Sequence, residues 1–487
     1  MSDSQPRPDR DLSSGPSLLA EAKVRWDAYL DVRETQARLT RQERRMRRDT
    51  PDWTPLNEKT DLLALQDRLL GLGRERLSAF SAFVSMCNRA RAQDPDSREG
   101  AQLLAKGWWT RLLEAEAEGD SGRVIWCADR VRELAPIQYA EKLLGAGALT
   151  LLSAPAGAEV LCQRVHTDRL VWELDAPTSL GRTPINEVPL GMGSYVLTLR
   201  SPGFRDTRYP VFIRRGEHWD GGPPIALLTE KEIGADWVYV PAGPFLSMGD
   251  PSALGAQPSS RPWVPGFLVN RLPWSNLDYL SFINGLHRTD PNAAWACVPS
   301  QEARAGGPRA KSWTRAKAGE EYTLPSSCED GSEYQAHWPV LGISWHDAGR
   351  CAEWLSETRG EAVWVPGTLE REKAGRGVDG RIWPWGSRFD AALADLRSSK
   401  PVAILPSAAG SHPEDVSVYG LVDAAGCVRE FCGDSSFEGD EMLRPVISGS
   451  WRHRPTAARC ASRLGVHHQC RDGGIGLRLA RALPESR

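Results

Sequence analysis

The last forty residues of the chain contain three short motifs in a defined order: Ser448-Gly449-Ser450-Trp451, Ala458-Arg459-Cys460-Ala461-Ser462-Arg463 and Ile475-Gly476-Leu477-Arg478. The interval between the first two motifs, Arg452–Ala458, contains one histidine, His453, and no cysteine. The ordered motifs predict a specific fold for the C-terminal part of the chain. The interval between them lacks the thiolates that chemistry on a soft metal ion would need.

The composition is that of an ordinary globular protein. The chain has 487 residues, 41% hydrophobic and 25% charged, with a formal net charge of −3. This length accommodates roughly three domains, and the small net charge gives no reason to expect nucleic acid or a membrane surface as a partner. The polar segment over residues 1–16 lacks the apolar core of a signal peptide. We therefore expect a cytoplasmic protein with a disordered N-terminus over residues 1–16.

Residues 17–150 are predicted to be α-helical, with Ser17 as the cap of the first helix. Three segments repeat apolar residues at steps of three and four, as one face of a helix requires. They contain Leu19, Ala22, Trp26 and Tyr29, then Leu62, Leu65, Leu69 and Leu72, and then Leu104, Trp108, Leu112 and Ala115.

Residues 151–230 show the pattern of short β-strands. Apolar runs such as Tyr195–Leu199 alternate with Gly and Pro turns, which indicates a small antiparallel β-sandwich. The segment also contains four ordered motifs: Pro155–Val160, Leu180–Pro184, Gly193–Tyr195 and Ser201–Phe204. These motifs resemble a PEGA domain, a short module without catalytic activity that is often found beside bacterial signalling domains.

Residues 231–487 contain further ordered motifs besides the three at the end: Trp237–Gly243, Ile343–Ala348, Trp383–Gly386 and Ala425–Phe431. Together they resemble the formylglycine-generating enzyme, or sulfatase-modifying factor, family, whose fold is related to C-type lectins. The predicted fold class is a multidomain α+β protein. It has an N-terminal α-helical region over 17–150, a PEGA-like β-sandwich over 151–230 and a C-type-lectin-like domain over 231–487.

The order of the three regions resembles the C-terminal tails of large bacterial Ser/Thr kinases. The sequence itself contains neither the His-Arg-Asp catalytic loop nor the Asp-Phe-Gly motif of a kinase. The resemblance implies a setting in bacterial signalling or defence, with a kinase- or protease-linked partner.

Catalysis in the resembled family uses two copper-binding cysteines between the Gly-Ser-aromatic turn and the Ala-x-Arg motif. Here His453 falls near the first of these positions, Cys460 and Cys470 are displaced, and Cys460 is expected to be a buried thiol. The family also binds calcium, in part through an Asn that Cys427 replaces here, and a thiol is a poor ligand for a hard ion. No catalytic residue or metal ligand is assigned, although a structural calcium elsewhere stays open. An oxidase with a relocated copper or iron site, such as His453 with Cys460, is the alternative.

The segment from Trp451 to Arg471 is predicted to form a binding surface, because aromatic and Arg side chains are the usual anchors of interfaces. Trp451 and Arg463 could equally be framework residues. The adjacent His467 and His468 would point to opposite sides of an extended segment, which argues against a shared metal ion. The candidate residues are Trp451, His453, Arg454, Arg459, Arg463, His467, His468 and Arg471.

The sequence therefore predicts a pseudoenzyme: a non-catalytic recognition or scaffold protein that binds a protein or peptide ligand. In the same fold, retroelement-diversified proteins use this interval as a variable ligand-binding face, which is a second alternative. The partner, the oligomeric state and the role of the helical region are not determined at this level.

Overall fold

A computed structural model gives the structure of the chain in two compact units, Met1–Leu144 and Gly145–Arg487. The predicted disordered segment, 1–16, lies outside the described residues. The residues described are 17–50, 54–95, 98–166, 169–301, 310–317, 319–328, 331, 333–400, 405–434 and 442–484.

The first unit is helical, as the apolar periodicity predicts. Ser17 caps the first helix, since its Oγ accepts a hydrogen bond from the Ala20 N–H at 3.2 Å. The first and third predicted apolar faces meet in one core, in which Trp26, Phe83 and Trp108 are buried. Of the second predicted face, Leu62 and Leu72 are buried, but outside this core. The helices are α1 (Leu18–Asp49), α2 (Thr60–Gln93), α3 (Arg98–Glu118), α4 (Ser121–Leu134) and α5 (Pro136–Leu144).

The second unit begins with short strands that form three small sheets in the orders β4-β3-β7-β8, with β5 also paired to β3, then β6-β1-β9 and β10-β2. Strands β3, β7 and β8 are antiparallel neighbours, as predicted, and Val160 pairs with Leu199 between β3 and β7. The pairs β1–β9 and β2–β10 are parallel, which the predicted antiparallel arrangement does not include. The PEGA-like assignment stays a prediction. The strands are β1 (Gly147–Leu151), β2 (Ser153–Ala154), β3 (Glu159–His166), β4 (Glu173–Leu174), β5 (Thr178–Arg182), β6 (Ile185–Leu190), β7 (Gly193–Arg200), β8 (Thr207–Ile213), β9 (His218–Asp220) and β10 (Ile225–Ala226).

The remainder of this unit mixes helices with two four-stranded sheets, β11-β14-β22-β17 and β20-β19-β18-β21, and two short β-pairs, β12-β13 and β15-β16. Its elements are α6 (Glu230–Ile233), β11 (Trp237–Val240), β12 (Gly243–Pro244), β13 (Trp263–Val264), β14 (Phe267–Asn270), α7 (Asn276–Thr289), α8 (Pro291–Cys297), β15 (Ser300–Gln301), β16 (Ala310–Lys311), α9 (Trp345–Arg359), β17 (Val363–Trp364), α10 (Thr368–Arg376), β18 (Arg429–Phe431), β19 (Leu443–Ile447), β20 (Arg463–His467), β21 (Ile475–Gly476) and β22 (Ala480–Arg481).

The three C-terminal motifs meet on the sheet β20-β19-β18-β21. The first motif follows β19, the second leads into β20, and the third begins with β21. Beneath them Glu430 accepts hydrogen bonds from Arg371 and Arg478, and all three side chains are fully buried. Both guanidiniums share this one carboxylate and also donate to backbone carbonyls, such as that of Ala424 for Arg371 and that of Asn270 for Arg478. The network therefore connects the motifs to one another through the interior.

The early strands of this unit share a core with the rest of it. The Trp172 N–H donates to the Trp385 carbonyl at 2.8 Å, and the Ser194 hydroxyl donates to Asp379 at 2.8 Å. The predicted border at 230/231 therefore falls inside one compact unit, and the domain boundaries at 150/151 and 230/231 stay predictions. In the described part of the chain, no helix is both long and apolar enough to cross a membrane.

Candidate functional site

Arg463 does not lie on the predicted contact surface. Its side chain enters the interior from β20 and is only 8% exposed. Its guanidinium donates to the Glu372 carboxylate at 2.5 Å, and Glu372 also accepts from Arg376 at 2.7 Å. The sequence left open whether Arg463 is a contact residue or a framework residue, and the structure shows it as a framework residue.

Arg459 and Arg471 are also held in internal ion pairs rather than exposed for a ligand. Arg459 donates to both carboxylate oxygens of Asp250, at 2.6 and 2.8 Å, and its guanidinium lies 4.9 Å from the ring centre of Trp383. Arg471 pairs at 2.6 Å with Asp347, the residue that completes the capping box at the start of α9. Both guanidiniums are accommodated in the interior because each is paired there with a carboxylate from a distant segment of the chain. Arg454, by contrast, is exposed.

His453 lies in a half-buried pocket beneath the first motif. Its Nδ1 is 2.6 Å from the Ser450 hydroxyl. Burial, reinforced by the positive charge of Arg429, lowers the pKa of His453 to about 4, so the ring is neutral at pH 7. Gly474 lies against this pair, because a Cβ at that position would come within 2.8 Å of the Ser450 Oγ. Trp451, partly exposed, closes the same turn by donating to the Gly473 carbonyl at 3.1 Å.

Arg429 is the unexpected member of this pocket. It is buried, and its Nε donates to the Ser448 carbonyl at 2.9 Å. Its Nη2 makes no hydrogen bond to any described residue. Burial lowers its pKa to about 10, so the guanidinium still carries its charge at neutral pH. The pocket therefore holds a fixed cation next to a neutral imidazole.

A group of three histidine rings lies between α9 and the end of β20. The rings of His467 and His468 stack with their centres 4.4 Å apart, and His346 Nε2 lies 2.6 Å from His468 Nδ1. The expectation that the adjacent rings point apart is wrong, because β20 ends at His467 and His468 begins a turn. Partial burial, with the neighbouring His467, His346 and Arg444, lowers the pKa of His468.

Two further residues complete this group, which we call the histidine face: Trp345, His346, Arg444, His467 and His468. The Arg444 guanidinium lies 4.3 Å from the ring centre of Trp345, in the range of a cation–π contact. Sequence reasoning missed Trp345, His346 and Arg444 because they come from α9 and β19. The capping motif at Ser344–Asp347 was the one available signal, since it places residues 345 and 346 in the first turn of a helix.

Cys460, the thiol considered for a relocated copper site, is buried, as the sequence predicts. Cys460 is buried among Arg376, Glu372, Arg371 and Arg381, and burial raises its pKa to about 12. The charged groups that act most strongly on His453 are instead Arg429, Asp472 and Arg452.

Cys427, which stands where the resembled family has a calcium-binding Asn, is fully buried, and burial raises its pKa far above the usual value. The buried carboxyls around it have internal partners: Asp415 accepts from the Gly426 N–H at 2.8 Å, and Asp423 accepts from the Gly410 N–H at 2.7 Å. Within the ranges that the structure describes, no group of three or more His, Cys, Asp or Glu residues could hold a metal ion. A structural calcium stays a prediction.

Comparison with known proteins extends this picture. Mouse inactive C-alpha-formylglycine-generating enzyme 2 is 26% identical over 294 residues, which cover 53% of this chain and 92% of that protein. The serine/threonine-protein kinase Pkn1 of Chlamydia trachomatis is 25% identical over 257 residues, which cover 49% of this chain and 36% of the kinase.

Among solved structures, PvdO from Pseudomonas aeruginosa aligns with 51% of this chain and 94% of its own, at 18% identity and a TM-score of 0.41. The sulfatase-modifying factor enzyme 1-like domain family matches residues 226–483. This match spans more than half of the chain and contains all three C-terminal motifs. The chain therefore belongs to the sulfatase-modifying factor enzyme 1-like family, to which the formylglycine-generating enzymes are related.

Proposed function

We propose that this protein is a non-catalytic recognition protein whose formylglycine-generating-enzyme-like domain binds a protein or peptide. The observation that carries the proposal is the Arg429–His453 pair. A buried cation beside the one imidazole near the family's first copper position opposes the binding of a metal cation there by charge repulsion. The mouse relative is itself named inactive, which supports the same conclusion.

The ligand would bind at the histidine face. Trp and Arg are the residue types that most often dominate binding free energy at interfaces. Arg444 and Trp345 already contact each other, with the guanidinium 4.3 Å from the ring centre, so these side chains would lose little conformational freedom when a ligand binds. His346 is exposed and the neighbouring rings are partly exposed. Their imidazole and guanidinium edges are therefore accessible for hydrogen bonds with a polar peptide.

The strand-rich segment 151–230 would serve as a PEGA-like adaptor in bacterial signalling or defence. Two observations support this role: the segment packs directly on the recognition domain through Trp172 and Ser194, and a bacterial serine/threonine-protein kinase matches about half of the chain. A kinase- or protease-linked partner and a cytoplasmic location belong to the same proposal.

The catalytic part is tested by incubating the purified chain with copper, oxygen and a cysteine-containing sulfatase-type peptide. We expect the cysteine to remain unmodified, as judged by mass spectrometry, while a formylglycine-generating enzyme converts it in parallel. Formation of formylglycine would overturn the proposal and favour the relocated oxidase.

The binding part is tested by selecting a displayed library of linear peptides on the wild-type protein. We expect enriched peptides whose affinity decreases at least tenfold for the variant His346→Ala/His467→Ala/His468→Ala. His166→Ala is the matched control, because this histidine is partly exposed in the strand-rich segment and lies 2.8 Å from Asp175, away from the histidine face in sequence. Equal binding to the triple variant, or no enrichment at all, would contradict the proposed face.

A further inference from the structure

Helix α2 carries a second apolar stripe that nothing in the described part of the chain covers. Leu63, Leu70 and Leu77 are 39%, 64% and 56% exposed. They are spaced by seven residues, so successive side chains drift by only about 20° around the helix. The stripe extends over about 21 Å along the helix axis, at 1.5 Å per residue.

This stripe is distinct from the one that packs inside the helical unit. In the first half of α2 the buried leucines are Leu62 and Leu72, which belong to the stripe recognised from sequence. The aromatic core with α3 begins only at Phe80. The exposed stripe therefore lies where α2 has α1 as its principal neighbour and keeps a free side.

Two residues of opposite charge flank the centre of the stripe, one before Leu70 and one after it. Asp67 and Arg74 lie within about 60° of Leu70 around the helix axis, and both are exposed. Neither makes an ion pair or side-chain hydrogen bond with another described residue, whereas Arg68 and Glu75 on the opposite side pair with each other at 2.8 Å. The pattern from Leu63 to Leu77 is nearly symmetrical about Leu70.

We propose that α2 is a homodimerisation helix, and that the occupant of the stripe is the same stripe of a second copy in antiparallel orientation. A seven-residue repeat of leucines is the pattern by which one helix packs along another. In the antiparallel arrangement Leu63 of one copy lies beside Leu77 of the other, and Asp67 comes near Arg74. In a parallel arrangement each flank of one helix would face the opposite flank of the other, so Asp67 and Arg74 would face the uncharged Gln66 and Gly73 and form no such pair. The interface is isologous, so one surface satisfies both copies.

The test is sedimentation velocity of the full-length chain over a concentration series. We expect a concentration-dependent species of twice the 53.7 kDa chain mass, and we expect Leu70→Glu to weaken the association at least tenfold. Ile137→Glu is the matched control: it also adds a carboxylate to an exposed apolar site of the helical unit, 93% exposed on α5, and should leave the dimer unchanged. Far-UV circular dichroism of each variant checks that the helices are retained.

Charge exchange tests the orientation without touching the leucines. Asp67→Arg alone should weaken the dimer, and Asp67→Arg/Arg74→Asp should restore it, because the pair is re-formed in the opposite sense. A chain that stays monomeric at about 100 µM would overturn the proposal, whatever else covers the stripe. So would a dimer that Leu70→Glu leaves intact, or a double exchange that fails to restore association.

Discussion

Replacing Arg463 with methionine is expected to destabilise the second unit by about 3 kcal/mol. The substitution keeps an unbranched apolar chain but leaves the Glu372 carboxylate, which is 1% exposed, without one of its two cations. Breaking a buried ion pair by removing one partner costs about 3–5 kcal/mol. The lower end applies because Arg376, the Ser247 hydroxyl and the Met248 N–H still donate to Glu372, at 2.7, 2.7 and 2.8 Å.

The measurement is urea denaturation followed by tryptophan fluorescence. For an m-value of about 3 kcal/mol/M, the expected loss lowers the transition midpoint by about 1 M. Arg454→Met is the matched control: the residue lies in the same predicted surface but is exposed, and exposed substitutions usually change stability by less than about 0.5 kcal/mol. Equal midpoints for the two variants would refute the assignment of Arg463 to the core.

A double-mutant cycle separates the ion pair from simple loss of packing. Glu372→Gln alone leaves Arg463 and Arg376 without a carboxylate, and Arg463→Met alone leaves the carboxylate short of a cation. If Arg463 and Glu372 are energetically coupled, the double variant loses about 0.5–3 kcal/mol less unfolding free energy than the sum of the losses of the two single variants. Strict additivity would show that the 2.5 Å contact contributes no coupling.

Three further predictions concern other parts of the second unit. His453 should titrate near pH 4 by NMR rather than near 6.5, and Arg429→Gln should raise this pKa, because the positive charge of Arg429 disfavours protonation. An unchanged pKa would contradict this electrostatic interaction. Gly474→Ala should destabilise the protein by about 1–3 kcal/mol in thermal denaturation, since its Cβ would lie 2.8 Å from the Ser450 Oγ; an unchanged Tm would show that the pocket has room. Burial lowers the pKa of Lys373 from 10.5 to about 7, so between these pH values the unfolded chain binds a proton that the folded chain does not. The free energy of unfolding should therefore rise with pH, and the stability of the wild type relative to Lys373→Met should increase from pH 7 to 9. A stability difference that does not change with pH would contradict the lowered pKa.

The helical faces of the first unit were predictable because they depend on local spacing. Leu104, Trp108 and Leu112 lie four residues apart, and residues at this spacing share one side of a helix whatever else surrounds them. The exposed stripe at Leu63, Leu70 and Leu77 obeys the same rule, but its spacing does not say which of two stripes on one helix becomes buried. That choice depends on where the other helices pack.

The candidate surface was predicted less well, for a different reason. Residue type pointed to His467 and His468 as candidates, which stays a prediction, and their stacked arrangement depends on the end of β20. The contributions of Trp345 and Arg444 could not be read from sequence, because these residues approach each other only when α9 packs beside β19.

The sequence by itself determined the helical region, the family of the C-terminal domain and the absence of cysteine from Arg452–Ala458, because each depends on residue identity or short-range spacing. Only the tertiary structure decided which charged side chains are framework and which are exposed. Arg463 meets a carboxylate 91 positions away, and Arg459 meets one 209 positions away. These guanidiniums are buried because a carboxylate from a distant segment compensates for their lost hydration. A short-range sequence pattern does not identify that distant partner.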